Sequence, residues 1–348
     1  MDQYALKKGI RFEALDSLRG LAAIIVFLFH CALGHSSEIR NVFRFGVTGV
    51  DLFFMISGFV ILLTLQRTKD WRSFVVGRFA KLYPVYWVIV SFTALLILIN
   101  QFNEPLPTLL TDYLGNLTMI QRYFGIQNLD EQYWTLEVEL LFYMLMLVIL
   151  LSRKLKSIEI IGSIFLAFAV IYDLYLQIEL HPVMRHFLLI NHFPLFFAGI
   201  MFYKIRMEGG NIWRYILLGC CFVTACMLFN NGGRSMYYLF FRDYIAVLVT
   251  YFIVFALAVY DRIKFITLKP FLFMGRISYS FYLIHQYISV QIIIPRLQQY
   301  MNFYLAVFIA LVVCVGLATL TSLYIEEPSV RFGKRWLSKR TATAKGSI

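Results

Sequence analysis

Ten stretches of this sequence are apolar for long enough to cross a lipid bilayer, and that recurrence leaves few folds open. A hydrocarbon core near 30 Å needs about 17–25 apolar residues in a helix. Runs of that kind lie near 14–34, 45–65, 84–100, 134–152, 159–178, 187–204, 212–230, 243–260, 272–294 and 303–325. Only 15% of the residues are charged, whereas a soluble domain carries about a quarter. The reading is an all-α polytopic integral membrane protein with about ten transmembrane helices. Ten spans place both termini on the same side.

Orientation follows from the cations, because short loops rich in Lys and Arg stay in the cytoplasm. With the N-terminus inside, Lys7, Lys8, Arg11, Arg72, Lys154, Lys156, Lys264 and the tail from Arg331 to Lys345 all fall on the cytoplasmic side. The cations left outside are all arginine: Arg40, Arg44, Arg122, Arg185, Arg234, Arg242 and Arg296. The formal charge of +12 is therefore mainly a topology signal. Spread over short segments, it does not form the single basic patch that nucleic-acid binding requires. The expected location is the cell inner (plasma) membrane, multi-pass, with both termini cytoplasmic.

No Ser/Gly linker or composition shift divides the chain, and no internal repeat is visible. It reads as a single membrane domain over 1–348, with a helical core from about 14 to 325 and a short basic cytoplasmic tail over 326–348. The longest polar gap, 101–133, is expected outside. The first apolar run begins with Arg19 and lacks a small-residue cleavage site, so it is expected to stay as a signal anchor. Cys31, Cys220, Cys221, Cys226 and Cys314 all lie in apolar runs without metal-ligand spacing and read as packing residues. No metal site is expected.

Inside the first span, between Leu15 and Leu33, sit Arg19 and His30. An ionisable group in a spanning helix is costly unless it faces a protein interior, so it marks a functional path by default. Eleven residues make about three turns, which puts both side chains on one face about 16 Å apart. At about 1.5 Å per residue, His30, Asp51, Glu139 and His285 all come to within about 6–10 Å of the outer surface. Together they form a candidate layer for general acid/base chemistry, in which an imidazole takes a proton from a hydroxyl and a carboxylate orients the ring. Each also has a structural reading. Asp51 can pair with Arg44 or cap a helix, and His285, which shares a polar face with Tyr282 and Ser278, can act as packing glue. His192 reads as structural or interfacial, and His35, His181 and His186 as loop residues. Glu137 and Glu139 lie about 200° apart on a helix and cannot face one site. On the inner side Arg19, Arg72, Arg78, Lys81 and Arg276 suit a phosphate-bearing cytosolic ligand, although positive-inside anchoring puts cations there as well. On these residues alone, a transporter or flippase with a buried ion or substrate path stays open beside an enzyme, as does an inactive scaffold.

Six segments carry a resemblance. They are Leu15-Asp16-Ser17-Leu18-Arg19-Gly20-Leu21-Ala22-Ala23 running on to His30, Gly49-Val50-Asp51-Leu52-Phe53-Phe54-Met55-Ile56-Ser57-Gly58-Phe59, Arg78-Phe79-Ala80-Lys81-Leu82-Tyr83-Pro84-Val85-Tyr86-Trp87, Tyr133-Trp134-Thr135-Leu136-Glu137-Val138-Glu139-Leu140-Leu141-Phe142-Tyr143, Ile277-Ser278-Tyr279-Ser280-Phe281-Tyr282-Leu283-Ile284-His285, and Tyr324-Ile325-Glu326-Glu327-Pro328. Taken in order, they resemble the membrane acyltransferase-3 family, O-acyltransferases that modify surface polysaccharides and lipopolysaccharides. The first matches that family's arginine, ten residues, then histidine. The fourth is similar to its Trp-Ser-Leu-x-x-Glu-x-x-Phe-Tyr pattern.

The resemblance implies transfer of an acyl group, usually acetyl, from cytosolic acetyl-CoA to a hydroxyl of an extracytoplasmic or lipid-linked carbohydrate. Acetyl-CoA is then a co-substrate, and no bound cofactor is expected. By that correspondence His30 is the catalytic histidine, Glu139 the motif carboxylate with Asp51 beside it, and Arg19, Arg78 and Lys81 the contacts of acyl-CoA. Trp134, Tyr143, Ser278, Tyr279 and His285 are motif or supporting positions, with Trp134 or Tyr279 suited to an oxyanion. Lys81 stands where the family usually has Arg, which removes bidentate phosphate recognition there; Thr135 replaces the usual Ser and keeps a hydroxyl. Some relatives carry a C-terminal esterase-like domain. This chain ends about 20 residues after the last span, so the expectation is the stand-alone form, which finishes the transfer itself or hands the acyl group to a separate extracytoplasmic acyltransferase partner. The expected partners are a carbohydrate acceptor and membrane lipids.

Overall fold

The computed structural model describes residues 12–68, 70–100, 105–176, 188–231, 234–237 and 239–346, and among them it is helical throughout. Lys7, Lys8, Arg11, His181, Arg185 and His186 lie outside the described residues. In chain order the helices are α1 (Glu13–Ala32), α2 (Ser37–Phe43), α3 (Gly49–Thr68), α4 (Trp71–Asn100), α5 (Leu106–Asn116), α6 (Trp134–Leu151), α7 (Ile158–Ile171), α8 (Leu189–Glu208), α9 (Ile212–Met227), α10 (Phe241–Val259), α11 (Lys269–Gln286), α12 (Ile294–Leu297), α13 (Phe303–Thr321) and α14 (Glu327–Gly346). Three end in π-helical turns: Tyr172–Leu176 after α7, Tyr287–Ile293 after α11 and Ser322–Glu326 after α13.

Each expected span falls on a helix. Seven helices among the described residues are long and apolar enough to cross a membrane, so the chain is a multi-pass membrane protein. The other three spans fall on α8, α9 and α11. Of these α9 has only 16 residues, while α8 and α11 carry Lys204, Arg206, Lys269 and Arg276 within their length. Helix boundaries shift where polar residues continue a helical pattern. The span expected at 84–100 starts at Trp71 and keeps Pro84 inside a helix of 30 residues. The polar gap at 101–133 contains α5, and the basic tail continues as α14.

Short basic turns stop two of the helices. Arg153 and Asp261 adopt left-handed φ values of 57° and 54°. The following residues return hydrogen bonds, Lys154 N–H to Ile149 O at 3.0 Å and Arg262 N–H to Leu257 O at 2.8 Å. That is the reverse-turn cap that satisfies the last carbonyls of a helix.

The helices gather into two compact units, one of Met1–Lys69 with Val138–Arg276 and the other of Asp70–Glu137 with Ile277–Ile348. In the first unit α3 is buried along nearly its whole length, as expected of a helix that is apolar all round. It meets α8 backbone to backbone. A Cβ on Gly58 would stand 2.0 Å from Phe196 O, and one on Gly199 would stand 2.0 Å from Met55 O. The same device joins α1 and α11, where a Cβ on Gly275 would stand 2.1 Å from Asp16 O. Around the α3–α8 seam, Phe196 stacks on Phe142 with centroids 4.1 Å apart and lies 4.8 Å from Phe54. In the second unit, α14 packs along the first half of α4, with Gly333 set against Ala80. Tyr86 of α4 meets Tyr133 edge to face at 5.2 Å.

Candidate functional site

Helix α1 is continuous from Glu13 to Ala32, so Arg19 and His30 ride on one rod about 16 Å apart along its axis. Both are half-buried. His30 lies in the last turn, with its ring 5.2 Å from that of Phe29. Phe29 is in turn fixed edge-on by Tyr237 at 5.3 Å.

Asp51, in the first turn of α3, is fully buried, and both its oxygens are taken. Arg234 donates to Oδ1 from Nη2 at 2.6 Å and to Oδ2 from Nε at 3.0 Å. The guanidinium lies 5.0 Å over the Tyr244 ring and 3.4 Å from His192 Nδ1. Arg44, the partner that sequence reasoning offered Asp51, pairs instead with Asp243 at 2.7 Å. The Arg234 guanidinium thus holds the Asp51 carboxylate bidentately. Reading the sequence missed Arg234 as a core member and left His192 as structural or interfacial, whereas both are buried. The one available signal was that every cation expected outside is arginine, the side chain suited to bidentate carboxylate binding.

Glu139 belongs to a second polar knot. It accepts a hydrogen bond from Ser57 Oγ at 3.0 Å and another from the hydroxyl of Tyr143, one turn along α6. Ser57 and Asp51 are six residues apart on α3, hence about 9 Å along its axis and about 120° around it. Glu139 therefore meets α3 between one and two turns beyond Asp51.

In the second unit Lys81 forms an ion pair with Glu326 at 2.7 Å, and Ser280 Oγ donates to the other oxygen of Glu326 at 3.0 Å. The third, fifth and sixth resembling segments thus meet in one cluster, in which a carboxylate balances the charge of Lys81. Tyr279 donates its hydroxyl to Leu82 O at 2.9 Å, which commits the proton that an oxyanion contact would need. His285 is buried, stacks parallel to Phe281 at 5.9 Å, and has Nδ1 2.7 Å from Tyr282 O. Tyr282 reaches Thr135 at 2.9 Å, so the hydroxyl kept by the Ser-to-Thr departure is in use. Ser278 is buried, Arg78 is half-buried on α4 and Trp134 opens α6.

An all-helical, multi-pass membrane protein with a histidine and an arginine on one spanning rod, and hydrogen-bonded carboxylates on neighbouring ones, defines the class. A family profile described as an acyltransferase domain matches residues 12–325, and the chain belongs to that family, the acyltransferase-3 membrane O-acyltransferases. Among curated proteins it is similar to acyltransferase MdmB of Streptomyces mycarofaciens, 27% identical over 39% of this chain and 38% of the relative. It is also similar to a putative acetyltransferase, ORF330, of Acidianus two-tailed virus, 24% identical over 78% of this chain and 81% of the relative. Another relative is O-acetyltransferase OatA of Staphylococcus aureus, 26% identical over 79% of this chain. The match spans only half of OatA and less of MdmB. No solved structure matches the chain.

Proposed function

We propose that this protein transfers an acyl group, acetyl from acetyl-CoA, to a hydroxyl of an extracytoplasmic or lipid-linked carbohydrate. The observation that carries the reading is the family match over residues 12–325, with Arg19 and His30 held on one continuous helix inside it. We assign this helix an inner, cationic end at Arg19 that meets a phosphate of the donor, and an outer end at His30 that meets the acceptor. In the chemical step His30 takes the proton from the acceptor hydroxyl as its oxygen bonds to the thioester carbonyl carbon. The tetrahedral adduct then collapses, the carbon–sulfur bond breaks, and the CoA thiolate leaves with the proton from the imidazolium. Glu139, fixed by Ser57 and Tyr143, supplies negative charge that favours the imidazolium. Asp51 and Arg234 hold the outer end of α3 in place. In the second unit Glu326 balances the charge of Lys81, and Arg78 on the same helix offers a guanidinium, whose planar fork suits phosphate.

The test is transfer of labelled acetyl from acetyl-CoA in inside-out membrane vesicles, with wild type and His30→Ala at matched folded expression. Label on carbohydrate is expected to fall about 10²–10⁴-fold in the variant, the range for loss of a general base. Equal labelling removes His30 from the chemistry. Absence of label in wild type, together with solute flux that consumes no CoA, replaces the reading with transport.

A further inference from the structure

In the second unit, α4 and α14 leave an apolar groove of about 680 Å³ between them. Val75, Phe79 and Pro84 line it from α4, and Pro328, Phe332 and Trp336 from α14. The helices touch at Gly333, where a Cβ would stand 2.9 Å from Ala80 Cβ. The rings beside that contact stay uncovered, with Phe332 72%, Phe79 46% and Trp336 39% exposed. Glu326 meets Lys81, and Gly333 meets Ala80 and Val76. Helix α14 therefore runs antiparallel to α4, with Trp336 toward the start of α4 and Pro328 further along the span.

The spacing on α14 sets a cation beside each groove residue. Pro328, Phe332 and Trp336 recur every four residues, and Arg331, Arg335 and Lys339 follow them by three. Residues three apart are neighbours on a helix surface, so a basic row runs along the rim of the groove. All three cations are exposed. The carboxylate of α14, Glu327, sits in its first turn, at the opposite end from Trp336 and Lys339. The groove is about 12 Å long from Pro328 to Trp336, and its volume falls among the pockets of about 300–1,000 Å³ that hold small ligands. A ligand that suits it has a long apolar part for the channel and a negative group at the mouth. Helix α4 is apolar enough to cross a membrane, so lipid reaches the groove from the side. An indole beside a cation is the pair found at the level of lipid headgroups. On the orientation expected from the cations, this mouth faces the leaflet that carries anionic lipid. We propose that the groove between α4 and α14 binds an anionic phospholipid, with an acyl chain against Phe79 and Phe332 and the phosphate at Arg335 and Lys339.

The test uses the full-length protein in detergent micelles, titrated separately with phosphatidylglycerol and phosphatidylcholine that carry bromine on their acyl chains. Bromine quenches indole fluorescence on contact, and the difference between wild type and Trp336→Phe isolates the signal of Trp336. Half-quenching is expected at a phosphatidylglycerol concentration about tenfold or more below that of phosphatidylcholine. Two variants are expected to lose that preference: Arg331→Gln/Arg335→Gln/Lys339→Gln, which removes the basic row, and Ser329→Phe, which fills the groove without changing charge. Equal half-quenching by the two lipids in wild type marks general contact with lipid and overturns the site. So does a preference that survives in either variant. If the triple variant does not fold, Ser329→Phe decides alone. A Trp336 signal that neither lipid quenches also overturns the proposal, and a dimer in size exclusion then assigns the groove to a second copy of the chain. Relief of the quenching by acetyl-CoA gives the groove to the acyl donor and overturns the lipid.

Discussion

Asp51 and Arg234 show how far a single residue's meaning depends on its partner. Asp51 is legible in the sequence as an ionisable group at the mouth of a span, but its partner lies 183 residues away, and no local pattern connects the two. Both are buried, so removing one strands the other, at a cost of about 3–5 kcal/mol. Asp51→Leu alone is expected to lower the unfolding temperature in detergent sharply, whereas the Asp51→Leu/Arg234→Met double variant should recover most of the loss. Asp130, in the segment before α6, makes a pH-dependent prediction. Burial pushes its carboxyl up to about 7, although Tyr287 N–H at 3.1 Å and Gln132 Nε2 at 2.9 Å both donate to it. Its folded-state pKa lies above the unfolded value, so the neutral form favours folding. Its contribution is fully present below about pH 4 and is lost as pH rises towards 7. Thermal unfolding from pH 4 to 8 should show that decline in wild type and a flatter profile in Asp130→Asn.

Among the elements, α3 and α8 approach so closely that glycine is the only residue that fits at Gly58 and Gly199. Small residues at a helix seam allow the backbone contact that drives association in lipid, where no hydrophobic effect separates one apolar helix from another. Gly58→Ala places a methyl carbon against Phe196 O and is expected to reduce the monodisperse, folded fraction in fluorescence-detected size exclusion. Gly316→Ala on α13, where a Cβ would meet nothing within 4 Å, is the matched control and should behave as wild type. Apolar run length predicted that these helices exist. It missed α5 and the early start of α4 because both are built from mixed polar and apolar residues, whose helicity is settled by packing and not by hydropathy.

For the molecule as a whole, the charge distribution makes a topological prediction: ten spans, both ends cytoplasmic. A reporter enzyme that is active only outside the cytoplasm should be inactive when fused after Lys345 and active when inserted near Arg122; the reverse pattern rejects the orientation. The sequence by itself determined the class, the sites of the helices, the Arg19–His30 rod and the family, because hydrophobic run length, charge bias and short-range spacing are all local properties of a chain. Only the tertiary structure decided what each buried polar group does. It tied Asp51 to Arg234, Glu139 to Ser57 and Lys81 to Glu326, and it left Glu137 without a hydrogen bond from the described residues. A polar side chain buried in a bundle is defined by the partner that satisfies it. That partner comes from another helix, at a sequence distance that no periodicity records.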